Sequence, residues 1–228
     1  NKDFPDLLEA VDKIPGNFWV RFSTSHPKDI NSKLIKVLQK STKVCEHFHL
    51  AVQSGDDDIL QAMNRKYKIE DYKKLVGKIR QAFARKDYLP TAITTDIIVG
   101  FPGETLKNFA NTKKLFTEIK FDLAFISKYS PRFGTASFAM KDNVSWADKK
   151  KREAELNKIL RKYALLNNKK YLNKEVEVLV EGTNRKGELF GRTRTSKLVR
   201  VHLSSLSKEA EEKNKSCASR KLIGEFVK

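Results

Sequence analysis

Polar residues and glycines close three apolar stretches in the first half of the chain, and chemistry could gather at those three points. Residues 18–24 (FWVRFST) run into Ser25-His26-Pro27, residues 47–52 (HFHLAV) into Gln53-Ser54-Gly55, and residues 92–99 (AITTDIIV) into the turn Gly100 to Glu104. The glycines of that last turn can take positive φ and let backbone approach a ligand closely. It lacks the lysine and hydroxyl residue of a phosphate loop, so a nucleoside triphosphate is not expected there. Ser23 and Ser25 offer small hydroxyls, although serine in a turn commonly bonds the local backbone. His26, fixed before Pro27, reads as a turn residue rather than a base. Two cysteines, Cys45 and Cys217, have no neighbouring cysteine to complete a metal set or a redox pair. They read as reduced thiols, and no metal site is expected from this chain.

The elements that position these turns follow from periodicity. Each apolar stretch has the β-branched and aromatic content of a strand, and each is followed by helical spacing. The helical sets are Leu34, Ile35 and Leu38; Ile59, Leu60 and Met63, then Tyr72, Leu75 and Ile79; and Leu106, Phe109, Leu115 and Ile119. A fourth strand is expected over residues 121–129. Strands alternating with helices imply parallel pairing, so this region predicts an α/β barrel or open sheet with its site at the carboxyl ends of the strands. Residues 147–172 predict a long Lys-rich helix with Leu156, Ile159, Leu160, Tyr163 and Leu166 on one face, read as a link between two domains. Beyond Glu175 the pattern changes to short strands at 175–181, 188–195, 198–203 and 222–227, with a turn at 184–187 and a polar loop at 204–220. This spacing fits a small all-β barrel that binds nucleic acid.

Composition bounds the reading. A chain of 228 residues, 39% hydrophobic with 14 Phe, can bury a sizeable core and has room for two units. With no apolar run near the roughly 20 residues needed to cross a bilayer, a cytoplasmic protein without a membrane partner is expected. The formal charge is +18, and from Trp146 onward 22 basic residues face 11 acidic ones. Such an excess favours a polyanionic partner through phosphate contact and counterion release. Arg185, Lys186, Arg192, Arg194, Lys197 and Arg200 crowd the predicted small sheet, where Phe190 and His202 could stack on unpaired bases.

Several phrases resemble one family. HLAVQSGDDDILQAMNRKY and ITTDIIVGFPGET are similar to consecutive motifs of the radical S-adenosylmethionine methylthiotransferases, and RFSTSHP, KYSPRFGTASF and VEVLVEG…GRTRTSKLVRV follow in the family's order. The last resembles a TRAM domain, a small RNA-binding barrel. Ala51 and Phe133 stand where the family usually has proline. The family's CxxxCxxC, whose thiolates hold a 4Fe-4S cluster, is absent from the chain. The resemblance therefore implies a fragment, inactive alone, of a longer parent that carries the cluster ligands elsewhere.

The resemblance implies α/β architecture: a partial (β/α) barrel of the radical SAM type over residues 1–145, a basic linker helix over 146–173, and an OB-like TRAM barrel over 174–228, cut within its last strand. It implies S-adenosylmethionine as cofactor, with Ser25, Gln53, Arg65, Asp96, Ile98, Val99 and Gly100 around it. Arg65 would fork onto the ligand's carboxylate, Asp96 would accept the ribose hydroxyls, and Ile98, Val99 and Gly100 would line the adenine slot. No catalytic residue is assigned. The implied reaction is methylthiolation of tRNA at the adenosine next to the anticodon. A ribosomal-protein aspartate as substrate, or a non-catalytic RNA-binding module, are the alternatives.

Overall fold

The computed structural model describes residues 2–23, 26–84, 89–202, 224, 226 and 227. The expected Ser25 site and the expected 204–220 loop lie outside them. Three parallel strands organise the first half: β1 (His47–His49), β2 (Ala92–Val99) and β3 (Leu123–Lys128), in that spatial order. β2 matches the predicted span, because eight residues rich in Ile, Thr and Val run uninterrupted up to Gly100. β1 is shorter than predicted. The chain turns at Gln53, which has a left-handed φ of 68° and touches β2 only through a single bridge to Ile97.

Among the described residues 18–23, the strand predicted over 18–24 does not form. A lone parallel bridge, Val20 to Val44, is all that pairs there. The aromatic and cationic side chains that suggested a strand are turned to another use: Trp19 packs on Phe226 and Arg21 donates to the Thr193 carbonyl, both in the second sheet.

Among the described residues, six α-helices accompany the strands. α1 (Phe4–Asp12) was not foreseen, although Asp3-Phe4-Pro5-Asp6 is a start signal: Asp3 and Asp6 form a reciprocal capping box and proline sits in the first turn. α2 (Ser32–Lys40) is capped by Asn31, α3 (Asp57–Ala62) by Asp56, and α5 (Leu106–Ile119) by Thr105; α4 spans Ile69–Ala82. Leu34, Leu38, Val76, Ile79, Leu115 and Phe116 from these helices bury against Phe48, Ile93, Ile97 and Val99 on one face of the sheet.

The Lys-rich helix, α6 (Trp146–Lys169), belongs to this same core. Leu156 and Leu160 join it, and Lys149 and Arg152 are buried beneath. Leu166, expected on the apolar stripe, is exposed.

The opposite sheet face carries His47, His49, Thr94, Asp96, Leu123 and Phe125, brought alongside one another by the parallel register His49↔Thr94↔Leu123 and Asp96↔Phe125. Leu123 is 45% and Phe125 58% exposed, so this face is open. Parallel sheets ordinarily have both faces covered, which marks the open one as a surface for something else.

The second sheet is antiparallel, in the order β6 (Leu198–Val201), β5 (Leu189–Thr193), β4 (Val178–Thr183), β7 (Phe226–Val227). Val178, Val180 and Leu189 form its small core. Among the described residues, no helix is long and apolar enough to cross a membrane.

Candidate functional site

The carboxyl ends of β1 and β2 meet at Gln53. Its N–H donates to the Asp96 carbonyl and its own carbonyl accepts from Ile98, both at 2.9 Å, so Gln53 and Asp96 are fixed side by side by backbone. A left-handed glutamine is costly, and such strain persists where the surroundings over-determine it. The determinants are visible. Ser54 donates back to the Val52 carbonyl at 2.9 Å, and the Gly55 N–H donates to Thr112 Oγ1 at 3.0 Å. A Cβ on Gly55 would lie 2.4 Å from Thr112 Cα, so only glycine lets α5 approach. Asp56 then accepts from Asn108 and Asn111 of α5 at 2.9 and 2.7 Å.

Arg65 follows α3 and is half-buried. Its charge acts on His26 and on Tyr67, whose hydroxyl donates to the Val52 carbonyl at 3.0 Å, one residue before Gln53. Burial pushes the Tyr67 phenol up to about 12, so it stays a donor. Burial and the Arg65 charge hold His26 below the ordinary imidazole range. The His26 ring stands edge-on to Tyr67, and its Nδ1 accepts from the Lys28 N–H, which is the turn role expected of it. Thus Gln53 and Asp96 are joined by backbone, and Tyr67, on which the Arg65 charge acts, bonds the chain one residue before Gln53.

On the open face below the rim, His49 Nε2 stands 3.2 Å from Asp96 Oδ2, and His49 Nδ1 stands 3.0 Å from Thr94 Oγ1. His47 Nε2 lies 3.3 Å from the same hydroxyl. Burial, then the charge of Arg21, pushes the His47 imidazole down to about 4. Sequence reading passed over both histidines, although their alternation in His47-Phe48-His49 beside Thr94 and Asp96 was a usable sign.

The turn from Gly100 to Glu104 departs from expectation. Gly100 has φ +71°, but what occupies its Cβ direction is the Lys149 side chain, whose Cγ would be 2.3 Å away. The Gly100 N–H donates to Glu104 Oε2 at 2.7 Å. Its open side is thus taken by Lys149 of α6. Glu104 also receives Arg152, a buried ion pair, and burial raises the carboxyl above its usual range despite those partners. Val99 is fully buried on the helical face, and its carbonyl accepts from Tyr129 N–H. Ile98 remains half-exposed on the open-face side, packed near Ile59 and Phe101.

The basic tail divides. Arg194 forks onto Glu46 at 2.8 and 3.0 Å and donates to the Val44 carbonyl at 2.7 Å, while Lys197 pairs with Asp122 at 2.7 Å. Tyr171 meets Thr195 in the same turn. Glu46 and Asp122 lie just before β1 and β3, so residues 193–197 dock the second sheet on the amino-terminal edge of the first. Arg194 and Lys197 are committed to that junction, which corrects their place in the predicted RNA face. Arg185 and Lys186 are exposed, Arg200 approaches Glu188 at 3.7 Å on the surface, and Arg192 pairs with Glu181.

Among the described residues an iron–sulfur cluster finds no ligand set. Cys45 is buried, with its thiol pushed up by burial, Cys217 lies outside the described residues, and no group of three or more potential metal ligands occurs among those described. At the strand ends stand the carboxylate of Asp96 and the amide of Gln53, with the half-buried guanidinium of Arg65 following α3.

Residues 1–116 match the Radical SAM superfamily and residues 169–228 match the TRAM domain. The chain is 46% identical over 200 residues to a tRNA-2-methylthio-N(6)-dimethylallyladenosine synthase of Alkaliphilus oremlandii, covering 86% of this chain and 41% of the relative. It is 42% identical over 229 residues to the enzyme of that name from Clostridium novyi, covering 99% of this chain and 50% of the relative. The chain thus spans about half the length of the curated relatives it matches. Among solved structures, coproporphyrinogen III oxidase from Escherichia coli, a radical SAM enzyme, aligns with TM-score 0.49 and 15% identity over 82% of this chain and 48% of its own.

Proposed function

The chain belongs to the radical SAM superfamily, and from that premise we propose that it forms the nucleoside-binding rim and RNA-binding tail of a tRNA methylthiotransferase. The observation that carries the reading is identity of 42% across 99% of the chain to an enzyme named for that modification. The substrate position proposed is the adenosine next to the anticodon. The named relatives act on tRNA, which favours RNA over a ribosomal-protein aspartate.

S-adenosylmethionine, when bound, supplies the superfamily's radical chemistry; the part proposed for this chain's residues is to bind and orient it. Asp96, 40% exposed at the side chain, accepts the ribose hydroxyls. Gln53 offers its amide beside them, Arg65 pairs with the amino-acid carboxylate, and Ile98 gives an apolar contact for the base. The open sheet face is read as the inner wall of a (β/α) barrel, in the α/β unit of residues 1–145 extended by α6. The RNA-binding unit is placed from residue 174, with Arg185, Lys186, Arg192 and Arg200 as its phosphate face.

Filter binding of an anticodon stem-loop RNA over a salt series tests the reading. Binding by this chain should give a steep log–log slope, and the triple variant Arg185→Gln, Lys186→Gln, Arg200→Gln should flatten it by about 2, near 0.7 for each single-strand phosphate no longer neutralised. A slope unchanged by the triple variant overturns this RNA face. Tight binding to a ribosomal protein with none to RNA overturns the substrate class.

A further inference from the structure

Four side chains on the open sheet face form one hydrogen-bonded row: His47, Thr94, His49 and Asp96, with separations of 3.3, 3.0 and 3.2 Å. The row has a direction, set by which atoms can donate. An ionised carboxylate only accepts, so His49 Nε2 must carry a proton facing Asp96 Oδ2. In the neutral ring Nδ1 is then bare and can accept the single Thr94 hydroxyl proton at 3.0 Å, for which the Phe48 carbonyl, at 3.5 Å, is the more distant acceptor. The Thr94 oxygen in turn accepts from His47 Nε2–H. Each link holds one proton, and every donor faces the carboxylate end. The opposite tautomer of His49 would set two lone pairs against each other at Asp96. A second proton on the ring would reverse only the Thr94 links and leave Nε2–H where it is. Phe125 of β3 flanks the ring at a centroid distance of 6.2 Å.

We propose that His49 is a positioning residue: it holds Asp96 by Oδ2, so that the carboxylate's other oxygen is presented to the vicinal hydroxyls of an adenosine-type ribose, while Thr94 fixes the imidazole's tautomer and rotation. This rests on the reading of Asp96 as the ribose acceptor. It goes further by naming the residue that aims the carboxylate and by tying it to one part of the ligand.

The test is calorimetric binding of S-adenosylhomocysteine and of its 2′,3′-dideoxyribose analogue to this chain and to the variants His49→Leu, His49→Gln and Asp96→Asn. His49→Leu should weaken the parent ligand about tenfold and leave the dideoxy analogue unchanged. His49→Gln should restore most of the loss, because its amide nitrogen can donate from nearly the same place. Loss with Asp96→Asn but none with His49→Leu overturns the positioning role and leaves the ribose reading standing. Equal losses for both ligands mean a merely structural histidine and also overturn it. Failure of the unaltered chain to bind, or no effect of Asp96→Asn, overturns the ribose reading and the proposal with it. Should His49→Leu fail to fold, long-range proton–nitrogen spectra of the unaltered chain decide: a proton on His49 Nε2 is expected, and a bare Nε2 overturns the proposal.

Discussion

Replacing Arg194 by alanine removes the fork that seats the second sheet on the first. The guanidinium makes two charge-assisted bonds to Glu46 and one to the Val44 carbonyl. The Glu46 side chain is 3% exposed and that of Arg194 14%, so the carboxylate left behind would be buried without its partner. Stranding one member of a buried pair costs about 3–5 kcal/mol, and the orphaned carbonyl adds about 1 kcal/mol. For a chain of this size each kcal/mol lowers the melting temperature by about 2–4 °C, so the midpoint should fall by on the order of 10 °C or more. Trp19 reports the junction directly, since Arg194 lies 5.7 Å over its ring and Phe226 packs against it at 4.8 Å. Urea unfolding followed by tryptophan fluorescence should show that change first. Exchanging both partners for apolar residues, Glu46→Leu with Arg194→Met, should recover much of the loss, since the uncompensated charge is then gone. A loss under about 1 kcal/mol for Arg194→Ala would refute the seating, and so would strict additivity of Glu46→Ala with Arg194→Ala in a double-mutant cycle.

Two further outcomes follow from the rim and the open face. Gly55→Ala places a Cβ 2.4 Å from Thr112 Cα; overpacking of this kind costs about 1–3 kcal/mol, to be read as a lowered midpoint in thermal unfolding, and an unchanged midpoint would contradict the packing of α5 on the Gln53 turn. His47 titrates near 4 in the folded chain, against 6.5 as its ordinary value. The unfolded chain therefore binds the extra proton between those values, and stability should be fully present above pH 6.5 and decline as pH falls toward 4. The loss is about 3 kcal/mol when the shift is fully expressed. His47→Gln should flatten that segment of the stability–pH curve; a variant curve parallel to the original would show that His47 is not held neutral by its surroundings.

Local signals made part of this molecule legible before any coordinates. The uninterrupted Ile/Thr/Val run of β2, the helical spacing of the apolar residues in α2 to α5, and the polar residues at strand ends all act within a few residues of themselves. What sequence reading mistook were roles decided by distant partners. Gly100 looked like a place for ligand approach, but Lys149, far along the chain, fills its open side. Gly55 is required by Thr112 in the same way. Arg194 and Lys197 looked like their neighbours in a basic tail; only the placement of Glu46 and Asp122 at the strand edge separates them from Arg185 and Lys186. Residues 18–24 had strand composition because they need large side chains to grip a second sheet, not because they pair along a ladder. The His49–Asp96 contact depends on the register of β1 against β2, which alternation suggests but does not set.

The central claim is that the carboxyl ends of β1 and β2, with Arg65 beside them, receive an adenosyl ligand. Titrating nitrogen-15-labelled chain with S-adenosylhomocysteine and following backbone amide shifts tests it most directly. The account predicts that the perturbed amides cluster at Gln53 and Ser54, Arg65 to Tyr67, and Asp96 to Ile98, with those of Thr193 to Lys197 unmoved. Shifts centred on the second sheet, or on the outer faces of α2 and α4, would contradict it.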